Sequence, residues 1–152
     1  VLGVNGIKSR IKIPAYGKYL RRLILKNRLE GKVRVLGNLS AEEMKREYLS
    51  AQIFVCPSAV ENSPNSVAEG QLLGVPVAAS RTGGIPDVVK DGVSGLLFEK
   101  GNVHELAACV SQILTDKQLA KELSASERET AVKLYNGENN YQKLIEIYQS
   151  IE

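Results

Sequence analysis

Glu61 and Glu69 stand eight positions apart, on either side of the polar turn Ser63-Pro64-Asn65-Ser66, and the chain then runs through apolar residues to Gly83-Gly84. A segment that had only to pack would need neither a carboxylate beside a proline-bearing polar loop nor a second one inside an otherwise apolar helix. Carboxylates accept hydrogen bonds from paired hydroxyls, each charge-assisted bond contributing roughly 1.5–3 kcal/mol, and both ribose and hexose offer such pairs. Ser63 reads as an N-cap with Pro64 at the first helical position of a helix running to Gly74. The amides of Asn65, Ser66 and Val67 then point out of the first turn without intrahelical partners, which makes an anion site. Together these groups suit an elongated ligand with hydroxyls at its ends and phosphates between. The plainer alternative is a loop charge at Glu61 and a helix charge at Glu69 that complements the macrodipole. Gly83-Gly84 likewise reads either as a tight turn or as a close backbone approach, and Pro86 can open another helix at the same edge.

Positioning these residues requires strands that end beside them. Short apolar runs bounded by Gly or Pro recur at VLGV (1–4), VRVLG (33–37), IFVCPS (53–58), VPVAAS (75–80) and GLLF (95–98), the pattern of strands buried on both faces. Helical signals fill the gaps. GKYLRRLILKN carries apolar residues at helical spacing, and Ser40 with Glu43 forms a capping box before AEEMKREYL. Asn102 with Glu105 and Thr115 with Gln118 repeat the device before two further helices, and NNYQKLIEIYQSI closes the chain as an amphipathic helix. Alternation of this length predicts an α/β fold with a doubly wound parallel sheet, in which ligands bind beyond the carboxyl ends of the strands. Five strands are few for such a sheet, so the chain is expected to begin one strand late. Residues 4–16 read as its longest loop.

At 152 residues, 43% hydrophobic and 24% charged, the sequence fits one globular domain. Cys56 and Cys109 lie in apolar runs without metal or redox spacing and read as reduced, buried thiols. No long apolar span and no export signal is visible, which leads to a cytoplasmic expectation. The net charge of +3 conceals an asymmetry: residues 1–34 hold ten Lys and Arg against the single acid Glu30. That basic third is either a solvated face or an attraction to phosphates or an anionic membrane surface. Its aromatic and basic residues do not interleave as in a single-strand platform, so nucleic acid is not the expected partner. His104, in the first turn of a capped helix, reads as a surface residue.

The order of these pieces carries a resemblance: Pro-Ser, Glu61, Glu69, Gly-Val-Pro-Val, Gly-Gly-Ile-Pro-Asp and Asp-Gly-Val-Ser-Gly-Leu-Leu, preceded by GKVRVLGNLSAEEMKREYLSAQIFVCPS and closed by the terminal amphipathic helix. Nearly the whole chain resembles the C-terminal, donor-binding domain of retaining GT-B glycosyltransferases, the large group 1 family four. The resemblance implies a Rossmann-like sheet forming the C-terminal half of a GT-B fold. It makes residues 1–152 a nucleotide-sugar-binding domain from a longer two-domain enzyme of glycan or polysaccharide biosynthesis. By the same resemblance Glu61 is the catalytic residue, approaching the donor sugar and stabilising positive charge at its anomeric centre. Glu69 holds the ribose hydroxyls; Asn62, Ser63, Pro64, Asn65, Ser66 and Val67 form the segment that meets sugar hydroxyls and diphosphate oxygens, largely through backbone amides. Gly37, Asn38 and Leu39 match the turn beside the nucleobase.

The family's Arg–Lys pair, which neutralises the leaving diphosphate, has no match here, nor has the acceptor-binding N-terminal domain. Gly70-Gln71 replaces the usual Ala-Met or Ala-Leu after the second glutamate. No Asp-x-Asp pair or His cluster calls for a metal, and no cofactor beyond the donor, a nucleoside-diphosphate sugar, is expected. The acceptor, a glycan or lipid-linked sugar, would reach the site through the N-terminal domain, with peripheral contact to an anionic membrane as a further expectation. The alternatives are a non-catalytic sugar-nucleotide-binding or scaffold module, or a sugar-nucleotide epimerase of related fold. A dehydrogenase is disfavoured, since no G-x-G-x-x-G follows a strand.

Overall fold

The computed structural model describes residues 15–151, so the run VLGV and most of the loop at 4–16 lie outside the described residues. The chain divides into two compact units, Val1–Met44 and Lys45–Glu152. In the first, helix α1 (Ala15–Lys26) spans the leucine-rich basic segment and carries Tyr16 and Tyr19 stacked 6.3 Å apart. Helix α2 (Ala41–Ser50), whose residues from Lys45 onward belong to the second unit, opens with the capping box read from the sequence: the Ser40 amide donates to the Glu43 carboxylate at 2.8 Å, and the Glu43 amide donates to the Ser40 hydroxyl at 3.4 Å. The run VRVLG is a correction to the sequence reading, because residues 33–37 form no strand. An apolar run becomes a strand only when a neighbouring ladder takes its backbone groups, and the Val33 amide instead donates to the Leu29 carbonyl in a turn.

The second unit is an α/β layer structure. Strands β1 (Phe54–Cys56), β2 (Val77–Ser80) and β3 (Leu96–Phe98) form a parallel sheet in the order β1-β2-β3, with Val55 opposite Ala78 and Ala79 opposite Leu97. Helix α3 (Asn65–Leu72) links β1 to β2; α4 (Ile85–Val88) follows β2; α5 (Val103–Thr115), α6 (Lys117–Leu134) and α7 (Gly137–Gln149) complete the chain. Every residue of β2 is buried, as a central strand covered on both faces requires. The period-2 alternation of strands divides the core. Val77, Ala79, Cys56 and Leu97 pack with Val67 of α3 and with Ile85 and Val89; Ala78, Leu96 and Phe98 pack with Ile113 of α5 and Leu123 of α6. Each fully buried aliphatic side chain contributes roughly 1.5–3 kcal/mol, so both layers hold the sheet that carries the site.

The caps refine the predicted boundaries. Asn102 accepts from the amides of His104 and Glu105, but Glu105 does not complete the box: the Asn102 amide is engaged by the Glu99 carbonyl, and the Glu105 carboxylate takes the Glu99 amide at 2.7 Å. Helix α6 is capped by Asp116, which accepts from Gln118 and Leu119, while the Thr115 hydroxyl turns back to Ser111. Thr115 is the last residue of α5, so its neighbour takes the cap. Helix α7 begins two residues before the predicted segment, capped by Asn136, and buries none of its residues. No helix among the described residues is long and apolar enough to cross a membrane.

One carboxylate lies inside the fold. Glu127 of α6 is fully buried, accepts the Val77 amide through Oε1 at 3.1 Å, and leaves Oε2 without a partner. Burial raises its pKa to about 8, against the opposing pull of that amide.

Candidate functional site

The parallel sheet ends its strands at one edge, and both loops singled out by the sequence leave from there. After β1 the chain runs through Pro57-Ser58 to Glu61; after β2 it turns through Arg81-Thr82-Gly83-Gly84 into α4. These loops are joined. Ser80, the last residue of β2, donates its hydroxyl to the Ser58 carbonyl at 2.7 Å, and the Gly84 amide donates to the Asn62 carbonyl at 2.9 Å. A Cβ on Gly83 would lie 1.6 Å from the Glu61 carbonyl oxygen, and one on Gly84 would lie 2.2 Å from that of Asn62. Gly83 also has φ of +55°, in the region L-residues rarely enter. Both glycines are thus needed for backbone-to-backbone contact, which fixes the stem of Glu61 while leaving its side chain half-buried and Asn62 and Ser63 exposed.

The start of α3 differs by one residue from its sequence reading. Pro64, with ψ of 111°, is outside the helix and acts as its N-cap; no side chain caps the first turn, so Ser63 does not serve as expected. The carbonyl of Pro64 takes the Val67 amide at 3.0 Å and the Ala68 amide at 3.3 Å. Val67 therefore offers no free amide, and its side chain lies in the core at 0% exposure. The outward amides are those of Asn65 and Ser66, two uncapped donors at the positive end of the helix dipole. Glu69 follows one turn later and is exposed.

Packing from below sets α3 at this height. The Tyr48 hydroxyl of α2 donates to the Ser66 carbonyl at 3.0 Å, and its ring meets Phe54 edge-on with centroids 5.3 Å apart. Phe54 in turn lies under Gly70, where a Cβ would sit 3.4 Å from the ring. Burial, then the charge of Glu69 and a hydrogen-bond interaction with it, push the Tyr48 pKa up to about 12, so the hydroxyl stays a donor.

The departure at Gly70-Gln71 is absorbed by the fold. Gly70 accommodates the Phe54 ring, and Gln71, fully buried, donates to the carbonyls of Val88 at 3.1 Å and Ser94 at 3.3 Å, tying α3 to the segments flanking the turn before β3. The cation nearest this edge by sequence, Arg81, is paired with Asp91 and, at 3.2 Å, with Glu99, while Asp91 also takes the Leu97 amide.

The structure thus places Glu61 and Asn62 against Gly83 and Gly84, with Ser63 and Pro64 leading into the uncapped amides of Asn65 and Ser66. Gly37, Asn38 and Leu39 belong to the first unit, where Gly37 has φ of +80° ahead of α2. His104 is exposed, as the sequence suggested. Tyr48 and Gln71 had not been singled out as residues of the site. A buried glutamine donating twice across a core leaves no periodic trace, whereas Tyr48 was signalled only as a large aromatic on an otherwise charged helix.

Residues 8–130 match the family model for glycosyl transferases group 1, and the chain belongs to that family. It is 33% identical over 100 residues to the sulfoquinovosyl transferase SQD2 of Arabidopsis thaliana, an alignment covering 64% of this chain and 20% of the relative. Its fold matches sucrose-phosphate synthase from Thermosynechococcus elongatus with a TM-score of 0.80 at 27% identity, over 90% of this chain and 34% of that one. It matches Anabaena HepE in complex with UDP with a TM-score of 0.82 at 25% identity, over 89% of this chain and 37% of that one. The sheet is therefore a Rossmann-like sheet of the GT-B type. The chain spans 19% to 38% of the length of the first curated relatives it matches.

Proposed function

We propose that this chain is the donor-binding half of a retaining glycosyltransferase, moving a sugar from a nucleoside-diphosphate carrier to an acceptor hydroxyl in glycan or polysaccharide assembly. The observation that carries the reading is the backbone contact of Gly83-Gly84 with Glu61-Asn62 beside the uncapped start of α3. It holds a carboxylate and two outward amides at the ligand edge of a parallel sheet. In this proposal Asn65 and Ser66 donate to diphosphate oxygens, and Glu69 accepts the ribose hydroxyls. Asn62 and Ser63 face the donor sugar, and Glu61 stabilises positive charge developing at the anomeric carbon. Family membership supports the reaction class, and the UDP complex of HepE supports a nucleotide donor. A separate N-terminal domain would hold the acceptor.

The deciding experiment is an NMR titration with a panel of UDP-, GDP- and ADP-sugars. Saturable shifts at Asn65, Ser66 and Gly84 with at least one of them are expected. Absence of saturable change for every member at millimolar concentration contradicts the reading.

The same proposal includes peripheral contact with an anionic membrane. In α1, Lys18, Arg22 and Lys26 recur at helical spacing along one side, and Arg21 neighbours them. Each cation near such a surface contributes about 1 kcal/mol within a Debye length, enough together for reversible, salt-sensitive docking.

A further inference from the structure

We propose that Ser80 is a positioning residue for Glu61, holding the arch that carries its carboxylate to the donor sugar; the inference rests on the role of Glu61 given above. The ladder between β1 and β2 ends at Cys56 opposite Ala79, and the next pair in register would be Pro57 and Ser80. Proline has no amide to donate, so the backbone cannot carry the ladder on through that residue. The Ser80 side chain does so instead. Its hydroxyl donates to the Ser58 carbonyl at 2.7 Å, from a residue that is 1% exposed and whose backbone stays paired with Phe98 of β3. Ser80 is the one polar residue of β2, and a hydroxyl buried there is tolerated only with a partner. The Ser58 hydroxyl lies 3.5 Å from the Cys56 sulfur, so Ser58 is engaged through its side chain as well as its carbonyl. The chain is next tied at Asn62, whose carbonyl takes the Gly84 amide at 2.9 Å. Ala59, Val60 and Glu61 therefore form a short arch with one foot on Ser80 and the other on Gly84. Ala59 and Val60 are exposed, Val60 at 86%, and contribute little packing of their own. Freeing the first foot gives Glu61 a wider range of positions, and that freedom is lost again when the carboxylate meets the sugar.

Removing only the hydroxyl, by Ser80→Ala, separates positioning from packing. The probes are UDP with UDP-glucose, GDP with GDP-mannose and ADP with ADP-glucose, and the pair that binds wild type most tightly is carried forward by calorimetry. The readout is the ratio of the two affinities, nucleotide sugar over free nucleotide. Glu61→Ala should lower that ratio about tenfold, as loss of an interaction with a charged group implies. Ser80→Ala should lower it about threefold, the order of one side chain's ordering cost, while the free nucleotide binds as it does to wild type. Adding Ser80→Ala to Glu61→Ala should change the ratio no further. If Glu61→Ala lowers the ratio while Ser80→Ala keeps it whole, or if Ser80→Ala weakens both ligands equally, the positioning role is wrong and that of Glu61 stands. If Glu61→Ala leaves the ratio unchanged, or no probe binds, the assignment of Glu61 fails and the role of Ser80 fails with it. A ligand-free measurement on wild type guards against a folding defect in the variant: backbone order parameters at Ala59, Val60 and Glu61 should stay above about 0.6, below which a chain is flexible, and lower values overturn the proposal.

Discussion

The amide of Gly84 donates to the carbonyl of Asn62 at 2.9 Å, so the turn leaving β2 holds the loop leaving β1 by its backbone. The contact works only because residues 83 and 84 lack side chains. Substituting Gly83→Ala places a Cβ 1.6 Å from the Glu61 carbonyl oxygen at a φ of +55°. A residue forced into that backbone region costs about 1–3 kcal/mol before any overpacking. The variant should melt several degrees lower and lose nucleotide-sugar affinity, because the Glu61 loop must move. Thermal unfolding and titration check both; a melting temperature and an affinity equal to wild type would show that the loop is not clamped.

Gln71→Leu removes the donors to Val88 and Ser94 and leaves two carbonyls of the core connection without that partner. An unsatisfied buried group costs about 1–3 kcal/mol. The loss is offset in part because the Gln71 Oε1, itself without a partner, disappears as well. Chemical denaturation should register a net loss of about 1–2 kcal/mol. A variant more stable than wild type would mean that the glutamine is a burden on the core.

Glu127 makes stability depend on pH. Its folded pKa, raised to about 8 from the ordinary 4.5, means that the native state holds the proton more tightly than the unfolded chain. The contribution is therefore complete below about pH 4.5 and is lost as pH rises through about 8, with a slope from this group of up to about 1.4 kcal/mol per pH unit. Burial is the leading cause and the Val77 amide the opposing one, and neither involves a charged neighbour. Glu127→Gln keeps an acceptor for Val77 and carries no titrating proton, so its stability should be flatter than that of wild type between pH 5 and pH 8. Parallel denaturation curves for the two proteins across that range would contradict the assignment.

Docking to anionic membranes is tested by co-sedimentation with phosphatidylserine vesicles. The chain should pellet at low salt, release at high salt, and bind less when Arg21, Arg22 and Lys26 are replaced by Gln. Failure to pellet at low salt makes the basic third a solvated face only.

Much of the architecture was legible because β2 is apolar on both faces and its neighbours are short apolar runs bounded by Pro, Ser or Gly, a pattern that suits a covered parallel sheet. The run at 33–37 has the same composition yet pairs with nothing among the described residues, since composition reports burial preference and not the presence of a ladder partner. Ser63 and Thr115 misled for a related reason: a good capping side chain one position early loses to the residue whose backbone dihedrals leave the helix, Pro64 in one case and Asp116 in the other. Within the site, Glu61, Gly83 and Gly84 were visible as residue types that packing alone would not choose. Their mutual contact was not, because it is made by backbone atoms across more than twenty residues of sequence. Tyr48, Gln71 and Glu127 are long-range polar contacts in the core, which no local period encodes.

The central claim is a division of labour between two carboxylates, with Glu69 on the nucleotide and Glu61 on the sugar. It is tested most directly by calorimetric titration of wild type, Glu61→Ala and Glu69→Ala with a nucleoside diphosphate and with the corresponding nucleotide sugar. Glu69→Ala should lose roughly 1.5–3 kcal/mol for both ligands, the value of a hydrogen bond to a charged group, whereas Glu61→Ala should leave the free nucleotide unchanged and weaken only the sugar-bearing donor. Equal losses for both ligands in both variants would contradict the account.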